Sequence, residues 1–338
     1  MTLTLNSPLD MHLHLRDDDM LQNVAPLSAQ SFAGAIIMPN LVPPVTTKEA
    51  LLSYKDRITK AINSNSSQKT TPFSPYMTLF FKPNYTKEFL QDIRDDLTAI
   101  KLYPAGITTN SEGGVSGFDI DELSPTLSAM SELEIPLCIH GETNGFVMDR
   151  EAEFVPIYEK LASAFPDLKI IMEHITTKES LKALDRFDNL YATITLHHLY
   201  ITLDDVVGGM LKPHLFCKPI AKRPKDRAVL LDAALNAHPK VMFGSDSAPH
   251  PRHSKEAPGC AAGVFTAPVI LPALAQLFDK YNRLDNLQAF VSDNACNIYN
   301  ITPPSKKIIL EKKQFKVPQE YNGVVPMFAG ESLGWSIS

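Results

Sequence analysis

The sequence predicts an α/β fold, a (β/α)8 TIM barrel with extra C-terminal helices and a tail. Three observations predict it. About eight short, apolar, β-leaning runs recur along the 338 residues, the strand number such a barrel requires. Amphipathic stretches opened by helix-start signals separate most of them. The runs are near-continuously apolar, as expected of parallel strands covered by helices. Barrels of this kind reach such a length as one unit, so residues 1–338 are read as a single domain.

The expected strands are Leu9–Leu15, Gly34–Met38, Tyr76–Phe81, Ala99–Tyr103, Ile135–His140, Leu168–His174, Leu190–Leu196 and Val241–Asp246. In the first, the two-residue period puts His12, His14 and Arg16 on one face and Met11, Leu13 and Leu15 on the other. A helix is expected over Ala50–Ile62, where Thr46-Thr47-Lys48-Glu49 matches a capping box. Another is expected over Ser180–Phe187, behind Thr176-Thr177-Lys178-Glu179. Helical patterns then cover Ala267–Tyr281 and Leu284–Tyr299, and a Lys-rich, Pro-containing tail is expected to pack around the barrel. Two connectors stand out by composition. The run 63–71 (NSNSSQKTT) precedes a strand and belongs on the N-terminal rim as a solvated connector. The run 106–117 (GITTNSEGGVSG) follows the fourth strand, on the rim where barrel enzymes carry their chemistry; it suits either a mobile lid or a passive flexible loop.

Composition narrows the partner to a small molecule. A net charge of -6 and a pI near 5.9, with no basic stripe, argue against nucleic acid and anionic membrane surfaces. No apolar stretch approaches the roughly 20 residues of a membrane span. The opening Met-Thr-Leu-Thr-Leu-Asn lacks the charged segment of a secretory signal, so a cytoplasmic location is expected. Cys138, Cys217, Cys260 and Cys296 are scattered, with no CxxC pair, and are expected as free thiols.

In a barrel enzyme the chemistry is read at the C-terminal ends of the strands. His12 and His14 end the first strand, Lys101 lies in the fourth, His140 and His174 end the fifth and sixth, and Asp246 ends the eighth. Alone, the His12–His14 pair reads equally as a metal grip or as two hydrogen-bonded imidazoles. His140 or His174 alone reads as a satisfied core histidine, and Asp246 alone as a turn cap. Together on one rim, they form a donor set for divalent metal. Lys101 needs its own account, because an ammonium buried beside cations is disfavoured by desolvation and by like charge. A neutral amine can add CO₂ to give a carbamate, whose two oxygens could bridge two cations; the alternative is a lysine that snorkels to solvent or pairs with an acid. His197 and His198 read as rim or core histidines, and Cys138 as a packing residue. Arg252, His253 and Lys255 read as a solvated or supporting basic cluster beside His250.

The words HLHLR at 12–16, MPN at 38–40, KLYP at 101–104, IHGE at 139–142, MEHITT at 172–177, CKPI at 217–220 and GSDSAPH at 244–250 carry a resemblance. In order and over nearly the whole chain, the sequence resembles the dihydroorotases, of the monofunctional bacterial and fungal type within the amidohydrolase superfamily. Hydantoinases and allantoinases share the HxH, the lysine, the two histidines and the aspartate, but not these flanking words. The resemblance implies a metal-dependent barrel with two Zn²⁺ per subunit. His12, His14 and Asp246 would bind one, His140 and His174 the other, and Lys101, carboxylated on its amine, would bridge them. It further implies that Arg16, Asn40 and His250 hold the substrate carboxylate, while Ala262 and the main chain at Lys218 close the pocket. Thr108 and Thr109 would reach substrate from the 106–117 loop, which favours the lid. Gly106 and Lys218 depart from the family pattern, where a larger polar residue and an aliphatic one are common.

The implied reaction is the reversible cyclisation of N-carbamoyl-L-aspartate to L-dihydroorotate in pyrimidine (UMP) synthesis, with Asp246 carrying the proton, in a homodimer. Three rivals stand beside it. A hydantoin or allantoin amidase would have no use for a carboxylate cradle, and a non-catalytic dihydroorotase-like scaffold would be expected to have lost ligands. A mononuclear zinc deaminase would not use Lys101 as a bridge.

Overall fold

The computed structural model describes residues 1–64 and 72–338. An N-terminal strand β1 (Thr2–Asn6) precedes β2 (Leu9–Leu13), β3 (Gly34–Ile37), β4 (Ser74–Phe80), β5 (Leu97–Leu102), β6 (Leu137–Ile139), β7 (Ile170–Met172), β8 (Leu190–Ile194) and β9 (Val241–Phe243). Strands β2 to β9 form one eight-stranded parallel sheet in chain order. The ring closes between its ends: the Asp246 N–H donates to the His12 carbonyl (2.8 Å), and Leu13 bridges Ser247 in parallel. The eight expected runs are these strands; six have hydrogen-bonded cores shorter than the apolar runs, while β4 and β5 begin two residues before the expected Tyr76 and Ala99.

Helices α1 (Asp18–Ser31), α2 (Lys48–Ser64), α3 (Lys87–Asp92), α4 (Ile120–Glu132), α5 (Arg150–Ala164) and α6 (Lys178–Leu184) return the chain to the next strand. Beyond β8 the alternation loosens into α7 (Leu196–Tyr200), α8 (Leu203–Val207) and α9 (Pro224–Leu235). After β9 come α10 (Arg252–Lys255), α11 (Ile270–Lys280) and α12 (Asn294–Tyr299). The expected helix starts are real, but the second threonine caps each: Thr47 Oγ1 accepts from Ala50 N (3.2 Å) and Thr177 Oγ1 from Ser180 N (3.3 Å). With Thr177 at the cap the third helical residue is Ser180, so Glu179 cannot close a capping box. The pattern over Leu284–Tyr299 resolves into a 3-10 turn, a π-helical turn and α12. Of the polar connector 63–71, residues 63 and 64 complete α2 and the rest lies outside the described residues.

Two apolar layers hold the barrel. Between strands and helices lie Leu13, Ile37, Leu79, Leu102, Ile139, Met172, Ile194 and Phe243. Inside the ring lie Leu9, Met11, Ile36, Met38, Ala99, Cys138, Ile171 and Met242, packed with Ala295, Ile298 and Tyr299 of α12. Lys169, which immediately precedes β7, donates to the Ile298 carbonyl (2.8 Å), so α12 lies under the N-terminal mouth of the barrel. One expected face is corrected here. Met11 belongs to the interior and not with Leu13, because the β2–β3 register shifts between Asp10 and Leu13, and a bulge resets the two-residue alternation. Apolar Met11 therefore fills the barrel below, and His12 and His14 turn to the rim above.

The tail packs around the barrel as strands. β10 (Lys307–Glu311) runs antiparallel to β1, and β13 (Ser336–Ile337) pairs with β10; β11 (Phe315–Lys316) pairs with β12 (Ser332–Leu333). This sheet ties the two ends of the chain together.

Candidate metal centre and active site

The short strands deliver their polar residues to one rim. His12 lies in β2 and His14 one residue beyond it, Lys101 is the penultimate residue of β5, and His140 directly follows β6. His174 and Asp246 follow β7 and β9 closely. Arg16, His174 and Asp246 have φ of 60°, 41° and 43°, a left-handed conformation that non-glycine residues rarely adopt. Such backbone persists where its surroundings over-determine it. The His174 N–H donates to Thr193 Oγ1 (2.6 Å), Asp246 is held by the His12 carbonyl, and the Arg16 carbonyl accepts from the Tyr54 hydroxyl (2.8 Å).

The donor atoms converge in two groups. His14 Nε2 and His12 Nε2 lie 3.2 and 3.6 Å from Asp246 Oδ1. His140 Nδ1 lies 3.2 Å from His174 Nε2. Two nitrogens bound tetrahedrally to one zinc at its usual bond length sit about 3.3 Å apart, so the second spacing fits a shared ion. Orphaned atoms argue the same way: His12 Nε2 and Lys101 Nζ are buried and have no hydrogen-bond partner. Lys101 is 0% exposed, and its Nζ stands 5.1 Å from the centre of the Tyr103 ring. Burial lowers its pKa, against the opposing pull of Glu173, Cys138 and Asp246, and so favours the neutral amine that reacts with CO₂.

Two carboxylates set the histidine tautomers. Glu173 Oε2 receives His12 Nδ1 at 2.8 Å and the Thr193 hydroxyl at 2.6 Å, which turns the His12 Nε2 lone pair toward Asp246. Glu142 does the same at His140 Nε2 (2.8 Å), freeing Nδ1. Burial alone would raise Glu173, but His12, Lys101 and the bonds from His12 and Thr193 outweigh it and hold the acid down at about 2. Burial lowers His12, and lowers His14 and His174 far below the ordinary histidine value, which favours the neutral imidazole, the form that can bind a metal. Burial raises Asp246, opposed by His12 and His140. Neither Glu142 nor Glu173 was singled out from sequence, although each stands within two residues of a candidate ligand, in IHGE and MEHITT.

Beside these donors opens a cavity lined by Arg16, Asn40, Tyr103, Thr108, Thr109, Lys218 and Ala262, with His12, His14, His140, His174 and Asp246 at its base. His250 stands at its edge: Arg16 Nη2 lies 3.0 Å from His250 Nε2, which is 2.9 Å from the Ala262 carbonyl. Burial first, then Arg16, depresses His250 to about 3, so the ring is neutral. Asn40 donates to the Thr109 carbonyl (3.0 Å) and receives Asn110 on its own carbonyl (3.1 Å), which draws the 106–117 loop over the cavity. Lys218 donates to the Ile107 carbonyl (2.8 Å), so its side chain, and not only its backbone, engages that loop. Tyr103 was missed as a lining residue; its buried hydroxyl has no partner.

His197, His198 and Cys217 form another buried group. Both ring nitrogens of His198 are already engaged, by Thr195 Oγ1 (2.9 Å) and the Pro219 carbonyl (3.1 Å), as in a core histidine.

A parallel eight-stranded barrel with this histidine, aspartate and lysine set on its C-terminal rim defines the amidohydrolase class, and residues 93–301 match the amidohydrolase family. The chain is 45% identical to a dihydroorotase of Helicobacter hepaticus, over 99% of this chain and 98% of that protein. It superposes on the crystal structure of a Campylobacter jejuni dihydroorotase with a TM-score of 0.94 and 58% identity, covering 100% of this chain and 97% of the other. It also superposes on a Saccharomyces cerevisiae dihydroorotase in complex with 5-fluoroorotic acid, with a TM-score of 0.92 and 34% identity over 100% and 98% of the two chains. The chain belongs to the dihydroorotase family of amidohydrolases, hydrolases that act on a cyclic amide.

Proposed function

We propose that this enzyme interconverts N-carbamoyl-L-aspartate and L-dihydroorotate in pyrimidine (UMP) synthesis, with residues 1–338 as a single metal-dependent domain. His12, His14 and Asp246 would hold one Zn²⁺, His140 and His174 a second, and the carbamate of Lys101 would bridge them. Two divalent cations so bound supply Lewis acidity toward the amide carbonyl and lower the pKa of bound water.

The observation that carries this reading is the orphaned, fully buried Lys101 amine, whose charge acts on His12, His14, His174 and Asp246, donors that line one cavity with Arg16 and Asn40. The chain's own groups divide the remaining work. Arg16, whose guanidinium suits bidentate pairing, holds the substrate carboxylate with Asn40 and His250. Ala262 and the main chain at Lys218 close the far side, and Thr108 and Thr109 reach in from the loop. In hydrolysis, water adds to the ring carbonyl carbon, the carbon–nitrogen bond breaks, and a proton must reach the leaving nitrogen. Asp246, raised by burial, is suited to take that proton from the attacking water and deliver it.

The yeast relative's complex with 5-fluoroorotic acid, a pyrimidine carboxylate, supports an anionic ring as ligand. A hydantoin or allantoin substrate would leave Arg16 and His250 without a carboxylate to bind. Among the described residues no helix is long and apolar enough to cross a membrane. Cytoplasmic residence is part of the same reading, as is a homodimer, which rests on the family resemblance alone.

The test is the absorbance change on L-dihydroorotate hydrolysis, with metal content and a Lys101→Ala control. Turnover with close to two zinc per chain, lost in the control, supports the reading. A fully metallated protein inert on dihydroorotate but active on another cyclic amide overturns the substrate assignment.

A further inference from the structure

We propose that Lys255 is a positioning residue for substrate binding, its buried ammonium tying together the two backbone stretches that close the carboxylate end of the cavity. This rests on the cradle described under the proposed function. Lys255 ends α10 and is 3% exposed. Its Nζ donates to the main-chain carbonyls of Phe216 (2.9 Å), Ala261 (2.7 Å) and Gly263 (2.8 Å). An ammonium has three donors, so all are spent on backbone. The neighbouring carboxylates are engaged elsewhere, Glu256 with His214 and Glu320 with Arg252.

The acceptors identify what is being held. Phe216 leads into Cys217 and Lys218, and Lys218 lines the cavity; Ala261 and Gly263 flank Ala262, which lines it as well. The Gly263 N–H also donates to the Phe216 carbonyl (2.9 Å), so the two stretches meet at Lys255. With the carbonyls of residues 261 and 263 turned to the ammonium, that of Ala262 turns the other way, to His250 Nε2 at 2.9 Å. His250 in turn contacts Arg16. One cation thereby sets the path Ala262–His250–Arg16 along which a substrate carboxylate would be bound. Three carbonyl dipoles converging in a dry site repel one another unless a cation or donor neutralises them, and an apolar side chain would take the ammonium from all three, leaving the Phe216 carbonyl only the Gly263 N–H.

Burial alone does not make a lysine functional in this fold. Lys306 is also buried and donates to the carbonyls of Ala29 and Phe32 at the end of α1, far from the cavity, where it serves only to anchor the tail. Lys255 differs in what its carbonyls belong to. Burial lowers it to about 8, which leaves it charged at neutral pH.

The experiment measures kcat, KM and metal content with L-dihydroorotate for the wild type, Lys255→Met and Lys255→Arg, with thermal melting as the folding control. Lys255→Met is expected to keep its metal and raise KM by about tenfold or more, with kcat within about threefold. Lys255→Arg, which can still donate to several carbonyls, is expected to recover part of that loss. An unchanged KM in folded Lys255→Met overturns the proposal, as does a loss confined to kcat or metal. If Lys255→Met does not fold, Lys255→Arg and Lys255→Gln decide by the same criterion: a graded rise in KM supports the proposal and a wild-type KM in both overturns it. Absence of turnover by the wild type would instead strike the proposed function, so the two failures are distinguishable.

Discussion

His12 and Glu173 meet at 2.8 Å through Nδ1, and the opposite nitrogen of the same ring lies buried without a partner, 3.6 Å from Asp246. A carboxylate behind an imidazole fixes its tautomer and raises its basicity as a ligand. Glu173→Gln keeps the shape and removes the charge. We expect it to bind zinc about 10- to 100-fold more weakly than the wild type, read by competition with a chelator; wild-type affinity would refute the tautomer argument.

Arg16 approaches His250 at 3.0 Å and lines the cavity. If it pairs with the substrate carboxylate, Arg16→Met loses a charge-assisted interaction, and KM should rise about 10- to 100-fold. Metal content should not change. Loss of metal with an unaltered KM would mean that Arg16 supports the barrel mouth and does not touch substrate.

Glu151 is a buried acid on α5 that receives the N–H groups and hydroxyls of both Thr176 and Thr177 and the hydroxyl of Ser180. It anchors the segment directly after the left-handed His174. Glu151→Ala strands these donors in a dry site and should cost about 3 kcal/mol of stability, measured by urea unfolding. We also expect a fall in kcat, because His174 loses the loop that holds its backbone in place. A variant as stable as the wild type would show that water replaces the carboxylate without penalty.

Acid should destabilise the fold while the pH is still above the ordinary carboxylate range. Burial depresses His198 to about 4 and His250 to about 3, so the folded chain keeps both neutral while the unfolded chain protonates them near their ordinary value of 6.5. The unfolded state then binds more protons, and stability falls as pH drops from 6.5 toward 4, by up to about 1.4 kcal/mol per pH unit for a fully buried group. The partly exposed His250 contributes less. Asp10, raised to about 7 by burial, works in the opposite sense, since it holds its proton in the folded state; the more numerous histidines set the net direction. Urea midpoints at pH 7.5, 6 and 5 should decline in that order, and a flat series would contradict the burial argument.

Much of this was legible along the chain because it is local. A strand in a parallel barrel advertises itself as a short apolar run, and the polar residue that ends it lies on the rim wherever the next helix goes. His140, His174 and Asp246 could therefore be named as candidate donors from their places at run ends, and His12, His14 and Lys101 from their residue type inside apolar runs. What sequence could not supply depends on partners far away in the chain or on broken periodicity. Met11 faces the barrel interior because a bulge against β3 interrupts the alternation. The cap of α6 falls on Thr177, whose hydroxyl accepts from Ser180 N, while Glu151, 25 residues before Thr176, gathers both threonines. Glu173 and Lys255 acquire meaning only when folding brings His12 to the one and the Phe216 carbonyl to the other.

The sequence by itself determined the class of fold and the inventory of donors, since both follow from hydrophobic periodicity and from the residue type at each strand end. Tertiary structure alone decided which nitrogen of each histidine is free, that the Lys101 amine has no partner, and which backbone carbonyls are gathered under Lys255. Those properties are relations between segments, set by strand register and by the need to satisfy every buried polar group, and no local pattern encodes them.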